Sequence, residues 1–338
     1  MKRTNHLIDF IKGISTLGVI LVHFQFPGVP GRILCAIGVS GVVFFFLVSG
    51  YFAYNEDDGM ACRNLLKRFK RNLNITLIAV LVYFVYTVIH HLALGTFSEW
   101  AAKLSDPWLY VRMLILGDFE FIHADPLWFM PALLYSYLIL YVLHKYRISK
   151  YAYIFLPMLL LLRIGMETYT NSCGADWHLS GNFLAGALPV MLLGHSIASR
   201  KDSITKIPLY YTVPFLLISM AMLFVTVNVR FLALDVSQIF KIWLATEAFL
   251  LALRLPERKV IPAIAVLGRK YSLDVYLYHF LIGLLITNIF VGIHAPAWVS
   301  SWILPFAVII VSILLASAMT IMKEKRYKIE SQQGGKQA

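Results

Sequence analysis

Residues His6–Phe26 read HLIDFIKGISTLGVILVHFQF. The run is long enough to cross a bilayer as a helix, yet it carries Asp9, Lys12 and His23. Charged or titratable groups at membrane depth are costly, so each marks a candidate functional position. Lys12 and His23 are eleven residues apart. At about 100° per residue that is three turns plus about 20°, so both fall on one helix face, about 16 Å apart along the axis. Thr16 and Val19 lie between them on that face. A stripe with a cation low, a hydroxyl midway and an imidazole high is expected to face a protein-lined cavity rather than lipid.

The rest of the chain has the same character. Of 338 residues, 59% are hydrophobic and 14% charged, roughly half the charged share of an ordinary soluble domain. Apolar runs of spanning length predict an all-α polytopic membrane protein with ten transmembrane helices, at about 7–26, 32–54, 73–95, 126–144, 151–165, 181–199, 208–227, 236–254, 270–292 and 299–321. The fifth run is short. The first leads to no A-x-A-type cleavage site and continues into further spans, so no cleavable signal peptide is expected. No Pro/Gly/Ser-rich linker marks a second domain. Residues 1–322 read as one membrane domain and 323–338 as a polar cytoplasmic tail, whose end IESQQGGKQA is expected to be disordered.

A net charge of +12 raises the question of nucleic acid, but its distribution follows the positive-inside rule instead. With Lys2 and Arg3 inside, the next inner segment holds Arg63, Lys67, Arg68, Lys70 and Arg71. Later inner loops and the C-terminal end are also rich in Lys and Arg. The outer loops hold only Arg32, Lys103, Arg112 and Arg230, and two of them carry acids such as Asp118, Glu120 and Asp176. Both termini are therefore expected in the cytoplasm, and no nucleic-acid partner is expected. Cys35, Cys62 and Cys173 have no metal-ligand spacing. Cys62 and Cys173 fall on opposite sides, so no disulfide between them and no metal site are expected.

Several segments together resemble the acyltransferase family 3 integral membrane proteins. The first span resembles that family's opening, a basic residue followed eleven positions later by His. FFFLVSGY (Phe44–Tyr51) is similar to its FFxxSG signature, RFKR (Arg68–Arg71) to its RxxR pair, and GRKYSLDVYLYH (Gly268–His279) to its late Gly…Ser-Leu…Tyr…His segment. LWFMPALL (Leu127–Leu134) and NFLAGALPVMLLG (Asn182–Gly194) are fainter echoes. The resemblance runs from about residue 7 to residue 295. It implies transfer of an acyl group, usually acetyl from acetyl-CoA, to a hydroxyl of a cell-surface glycan or another small acceptor. It also implies a multi-pass cell-membrane enzyme that works alongside surface-polysaccharide biosynthesis proteins and holds no permanent cofactor. The chain looks like the stand-alone form without an SGNH-type domain. The family often has Arg where Lys12 stands, and Lys offers a point charge in place of a planar fork.

Acyl transfer needs a base for the acceptor hydroxyl, stabilisation of the thioester oxyanion and a grip on the CoA phosphates. His23 is the candidate base, since an imidazole titrates near neutrality; whether it acts as base or carries the acyl group is open at the sequence level. The alternative for His23 is a packed, hydrogen-bonded histidine. Arg68 and Arg71 suit phosphate, although any inner loop collects such residues. Lys12 is read as facing the donor, against the alternative of pairing with Asp9 and snorkelling. Ser49 reads equally as donor pocket or as small-residue helix packing with Gly50. Ser272, Tyr276 and His279 share a face of the ninth span; a structural hydrogen bond and direct catalysis are both open for His279. In the eighth span Lys241 and Glu247 lie on different faces, and Glu247 is a candidate to orient a histidine or neutralise Lys12. The outer loop 96–126, with Trp100, Trp108, Tyr110, Asp118 and Glu120, has the aromatic and acidic content that sugar sites use. The competing class is a ten-span secondary transporter of a small solute. Such a carrier should show two related halves, and the Lys12–His23 stripe has no counterpart from the sixth span onward.

Overall fold

The computed structural model describes residues 5–228 and 237–334. Lys2, Arg3, Arg230 and the last four residues of the tail, to which topology or disorder was assigned above, lie outside the described residues. Among the described residues the chain is helical, with no strand. The ten expected segments correspond to α1 (His6–His23), α2 (Gly28–Tyr51), α3 (Asp58–Ala93), α4 (Phe129–Lys145), α5 (Leu156–Cys173), α6 (Leu188–Ser199), α7 (Leu209–Asn228), α8 (Ser237–Arg254), α9 (Ser272–Gly292) and α10 (Ala297–Gly334). Among the described residues eight helical stretches are long and apolar enough to cross a membrane; they fall on α1 to α5, α7, α9 and α10. α6 extends a π-helical turn, Phe183–Ala187, into a shorter apolar helix, and α8 carries Lys241, Glu247 and Arg254 within eighteen residues.

Helix ends depart from the hydropathy limits for local reasons. Asn5 caps α1, its side-chain oxygen accepting from the amides of Leu7 and Ile8 at 3.1 and 3.0 Å. Pro27 follows closely, and α1 stops at His23, so the histidine is its last residue and not three residues inside. α3 begins at Asp58, where Asp57 accepts from the Met60 amide at 2.6 Å. The basic segment Arg63–Arg71 is therefore helix and not loop, because a hydropathy window sees only apolar residues whereas Arg, Lys and Leu all favour helix. α5 runs on to Cys173 until Gly174 takes φ 62°, a left-handed stop. α10 continues through Lys323–Lys328 to Gly334. This corrects the disordered tail over its described part, since nothing before Gly334 breaks a run of good helix formers.

The chain divides into two compact units, Met1–Gly41 with Leu255–Ala338, and Val42–Arg254. In the first, α1 lies against the short helix Pro262–Val266, the π-helical turn Leu267–Tyr271, α9 and α10. Ile20, Leu267, Val275, Val308 and Ala316 form its buried core. The approach of α1 to the π-turn is close enough to require glycine. A Cβ on Gly268 would lie 1.9 Å from the Asp9 carbonyl oxygen and 2.5 Å from the Gly13 nitrogen. In the second unit α3 packs on α4 and α7 on α8. There α2 crosses α6 where a Cβ on Gly50 would meet the Met191 carbonyl at 1.9 Å, and Phe46 stacks on Phe129 at 4.3 Å. No disulfide joins Cys35, Cys62 or Cys173 among the described residues.

Candidate active site

In the first unit the fold joins the two ends of the sequence at a pair of imidazoles. The His23 ring, half-buried at the end of α1, sits 5.3 Å from the His279 ring of α9, tilted by 47°. Phe280 meets His23 edge-on at 5.1 Å. His279 is fully buried. Its Nδ1 lies 2.8 Å from the Tyr276 carbonyl oxygen and 3.2 Å from that of Val275. A carbonyl can only accept, so Nδ1 carries the hydrogen and Nε2 presents a lone pair. That Nε2 is buried and has no hydrogen-bond partner among the described residues. Tyr276, also buried, has its ring 6.1 Å from His279.

Lower on α1, the Thr16 hydroxyl donates back to the Lys12 carbonyl at 2.8 Å. Lys12 is half-buried beside the π-turn, its Cβ among the atoms that exclude a side chain at Gly268. Asp9 lies in the first turn of α1, and its carbonyl forms part of the same crossing. Ser272 donates to the Gly268 carbonyl at 2.8 Å, so its hydroxyl ties off the π-turn instead of joining Tyr276 and His279. Lys12, His23, Tyr276 and His279 thus share one unit.

Ser49, Arg68, Arg71 and Glu247 belong to the other. Arg68 donates from Nη2 to the Phe52 carbonyl at 3.0 Å, which fixes it against the end of α2. Arg71, one turn on, is exposed, as are Lys67 and Lys70. Ser49 is half-buried beside Gly50, whose role is the α2–α6 crossing. Glu247 is half-buried on α8 and hydrogen-bonded to Trp243 one turn earlier.

Two polar networks carry no sequence signal of their own. In one, Asp58 Oδ1, His144 Nδ1 and Nε2, His195 Nε2 and Nδ1, and the Tyr153 hydroxyl form a chain with spacings of 2.7, 2.9 and 2.8 Å. Both histidines are fully buried. With Asp58 ionised and both imidazoles neutral, the protons run one way: Tyr153 donates to His195, His195 to His144, and His144 to Asp58. In the other, Arg112 contacts Asp118 and Asp176, each at 2.6 Å, and the buried His178 bonds Asp176 at 2.7 Å. The hydrogen bonds to Asp118, then Asp176, hold the Arg112 guanidinium above its ordinary range. Burial works against the Asp176 charge, but the hydrogen bonds from His178 and Arg112 keep its carboxyl below the usual value. Asp118, Asp176 and His178 offer three donor atoms within 4.8 Å of one another. Arg112 already binds both carboxylates, so a fixed guanidinium supplies the positive charge that a metal ion would bring.

A family model described as an acyltransferase domain matches residues 5–321. No curated protein matches the chain, and no solved structure does.

Proposed function

Since this chain belongs to that acyltransferase family, and is a multi-pass α-helical protein by its spans, we propose that it transfers an acetyl group from acetyl-CoA to a hydroxyl of a cell-surface glycan or related small acceptor at the cell membrane. The observation that supports this best is the His23–His279 pair, held 5.3 Å apart by the crossing of α1 and α9. His23 takes the proton of the acceptor hydroxyl as its oxygen attacks the thioester carbonyl carbon. The tetrahedral oxyanion collapses, the C–S bond breaks, and the imidazolium returns the proton to the departing CoA thiolate. His279, held as the Nδ1–H tautomer by the Tyr276 carbonyl, braces the His23 ring. Arg68 and Arg71 supply positive charge for the CoA phosphates, Lys12 faces the CoA or its thioester, and Ser49 contributes to the donor pocket. The carrier alternative rested on span number and buried charges, and nothing beyond them favours it over the acyltransferase family to which the chain belongs.

The geometry of α1 suits donor and acceptor arriving from opposite faces, with Lys12 near the cytoplasmic end and His23 about 16 Å farther along the helix. The test is direct. His23→Ala should retain stabilisation by acetyl-CoA and lose acetyl transfer, read by release of CoA in the presence of a glycan acceptor. An active His23→Ala protein would remove His23 from the mechanism.

A further inference from the structure

In the chain segment that connects α3 to α4, the short helices Phe97–Lys103 and Pro107–Ile115 and residues 118–123 line an open-mouthed cavity of about 450 Å3 beside His91 of α3, within the roughly 300–1,000 Å3 of small-molecule sites. Its walls are fixed. The Trp100 indole donates from Nε1 to the Phe121 carbonyl at 2.8 Å and lies nearly parallel to the His91 ring, at 5.4 Å and 14°. Arg112 is locked by its two carboxylates. His123 takes φ 52°, a left-handed conformation that few residues other than glycine adopt, and its Nε2 is buried with no partner among the described residues. Burial, together with His90, His91 and Lys103 nearby, lowers the His123 pKa, which favours a neutral ring. Strained backbone and an unmet hydrogen bond on a cavity wall are features a ligand would repay.

The charge balance narrows the ligand. Arg112 is offset by Asp118 and Asp176. The charged groups left on the wall are Lys103, Asp106 and Glu120. Asp106 caps the second short helix through the Trp108 amide. The Lys103 ammonium and the Glu120 carboxylate make no hydrogen bond or ion pair among the described residues, although the Glu120 amide donates to Asp118 Oδ1 at 3.0 Å. Negative charge is therefore in excess, beside an indole and donors and acceptors of both kinds. That combination recognises hydroxyl-rich rings, and it opposes anionic ones.

We propose that this cavity is a glycan-binding site, holding one or two rings of a neutral or amino-bearing sugar and rejecting uronate, sialylated or phosphorylated sugars. The proposal rests on the glycan-acylating reading above and adds a sugar-binding position and the charge class it takes.

Three disaccharides test it on the full chain in detergent: cellobiose, the glucosamine dimer and digalacturonate, with binding followed by tryptophan fluorescence and saturation-transfer NMR. The glucosamine dimer should bind best and digalacturonate worst. Glu120 is exposed, so its replacement should not disturb folding. Glu120→Gln should weaken the glucosamine dimer about tenfold, the loss of one charge-assisted contact. Glu120→Lys should raise digalacturonate affinity relative to cellobiose. Stabilisation by acetyl-CoA is read in parallel and should be unchanged in both variants. If acetyl-CoA stabilises the protein but no disaccharide binds, or the order of preference ignores the charge at residue 120, the glycan-site assignment is wrong and the acyltransferase reading stands. If acetyl-CoA itself neither stabilises the wild type nor is consumed, the failure lies in the donor reading instead.

Discussion

Gly268→Ala tests the crossing on which the proposed site depends. The added methyl would sit 1.9 Å from the Asp9 carbonyl oxygen, 2.5 Å from the Gly13 nitrogen and 2.9 Å from Lys12 Cβ. Ordinary contact begins at 3.4 Å, so α1 must withdraw by about 3.4 − 1.9 = 1.5 Å. Two of the three neighbours are backbone atoms of α1, and no rotamer change relieves them. Overpacking of this kind costs about 1–3 kcal/mol, and a clash with backbone belongs at the upper end. The displaced turn holds Lys12, and the same rigid helix carries His23. A misplacement of about 1 Å in a reacting group costs on the order of 10²-fold in rate. Gly268→Ala should therefore lower the melting temperature by several degrees and reduce acetyl transfer about a hundredfold, measured on purified protein by CoA release. Gly165→Ala is the control. It is exposed on α5, and its added Cβ meets nothing within 4 Å, so it should be neutral or stabilise by up to about 1 kcal/mol through helix propensity. Wild-type stability and turnover in Gly268→Ala would refute the claim that this glycine exists to let α1 lie on the π-turn.

Arg71→Ala should weaken acetyl-CoA binding without loss of stability, because its side chain is exposed, whereas Arg68→Ala should weaken binding and also free the end of α2 that it ties at Phe52; Lys67→Ala should do much less than either. Equal small effects from all three, in calorimetry or donor-dependent melting, would reduce the segment to a topology signal. His144→Ala should destabilise the second unit by about 2–5 kcal/mol, since it strands the Asp58 carboxylate and the buried His195 together and leaves a cavity, while Tyr153→Phe should cost only about 1 kcal/mol; equal melting shifts for the two would break the directional chain. In sealed vesicles of opposite orientation, acceptor on the outer face should be acetylated from donor supplied on the cytoplasmic face. Equal rates with both substrates on the cytoplasmic face would contradict the two-sided arrangement.

What was legible in the sequence follows from which forces act within one segment. The bilayer penalty makes Lys12 and His23 conspicuous in an apolar run, and the helical period puts them on one face. The same period places Tyr276 and His279 together on α9. Hydropathy found every span-like helix, since the apolar cost is a sum over adjacent residues. It missed the first fifteen residues of α3 because helix formation continues where hydropathy does not. Pairing between segments is a different matter. Periodicity states which face a residue occupies and says nothing of which helix that face will meet, so the sequence could not bring His279 to His23, a meeting that appears only with α1 against α9. Nothing in the sequence singles out Asp58, His144 or His195; their hydrogen-bonded chain exists only once α3, α4 and α6 have packed. The outer loop shows the boundary between the two cases. Its composition suggested sugar, but composition also describes loops that bind nothing. What distinguishes this one is that Arg112 and Asp118, six residues apart, face each other across a turn that Gly117 makes possible at φ 75°. That pair spends the one arginine of the cavity on internal neutralisation, and leaves Lys103, Asp106 and Glu120 to set the charge a ligand would meet.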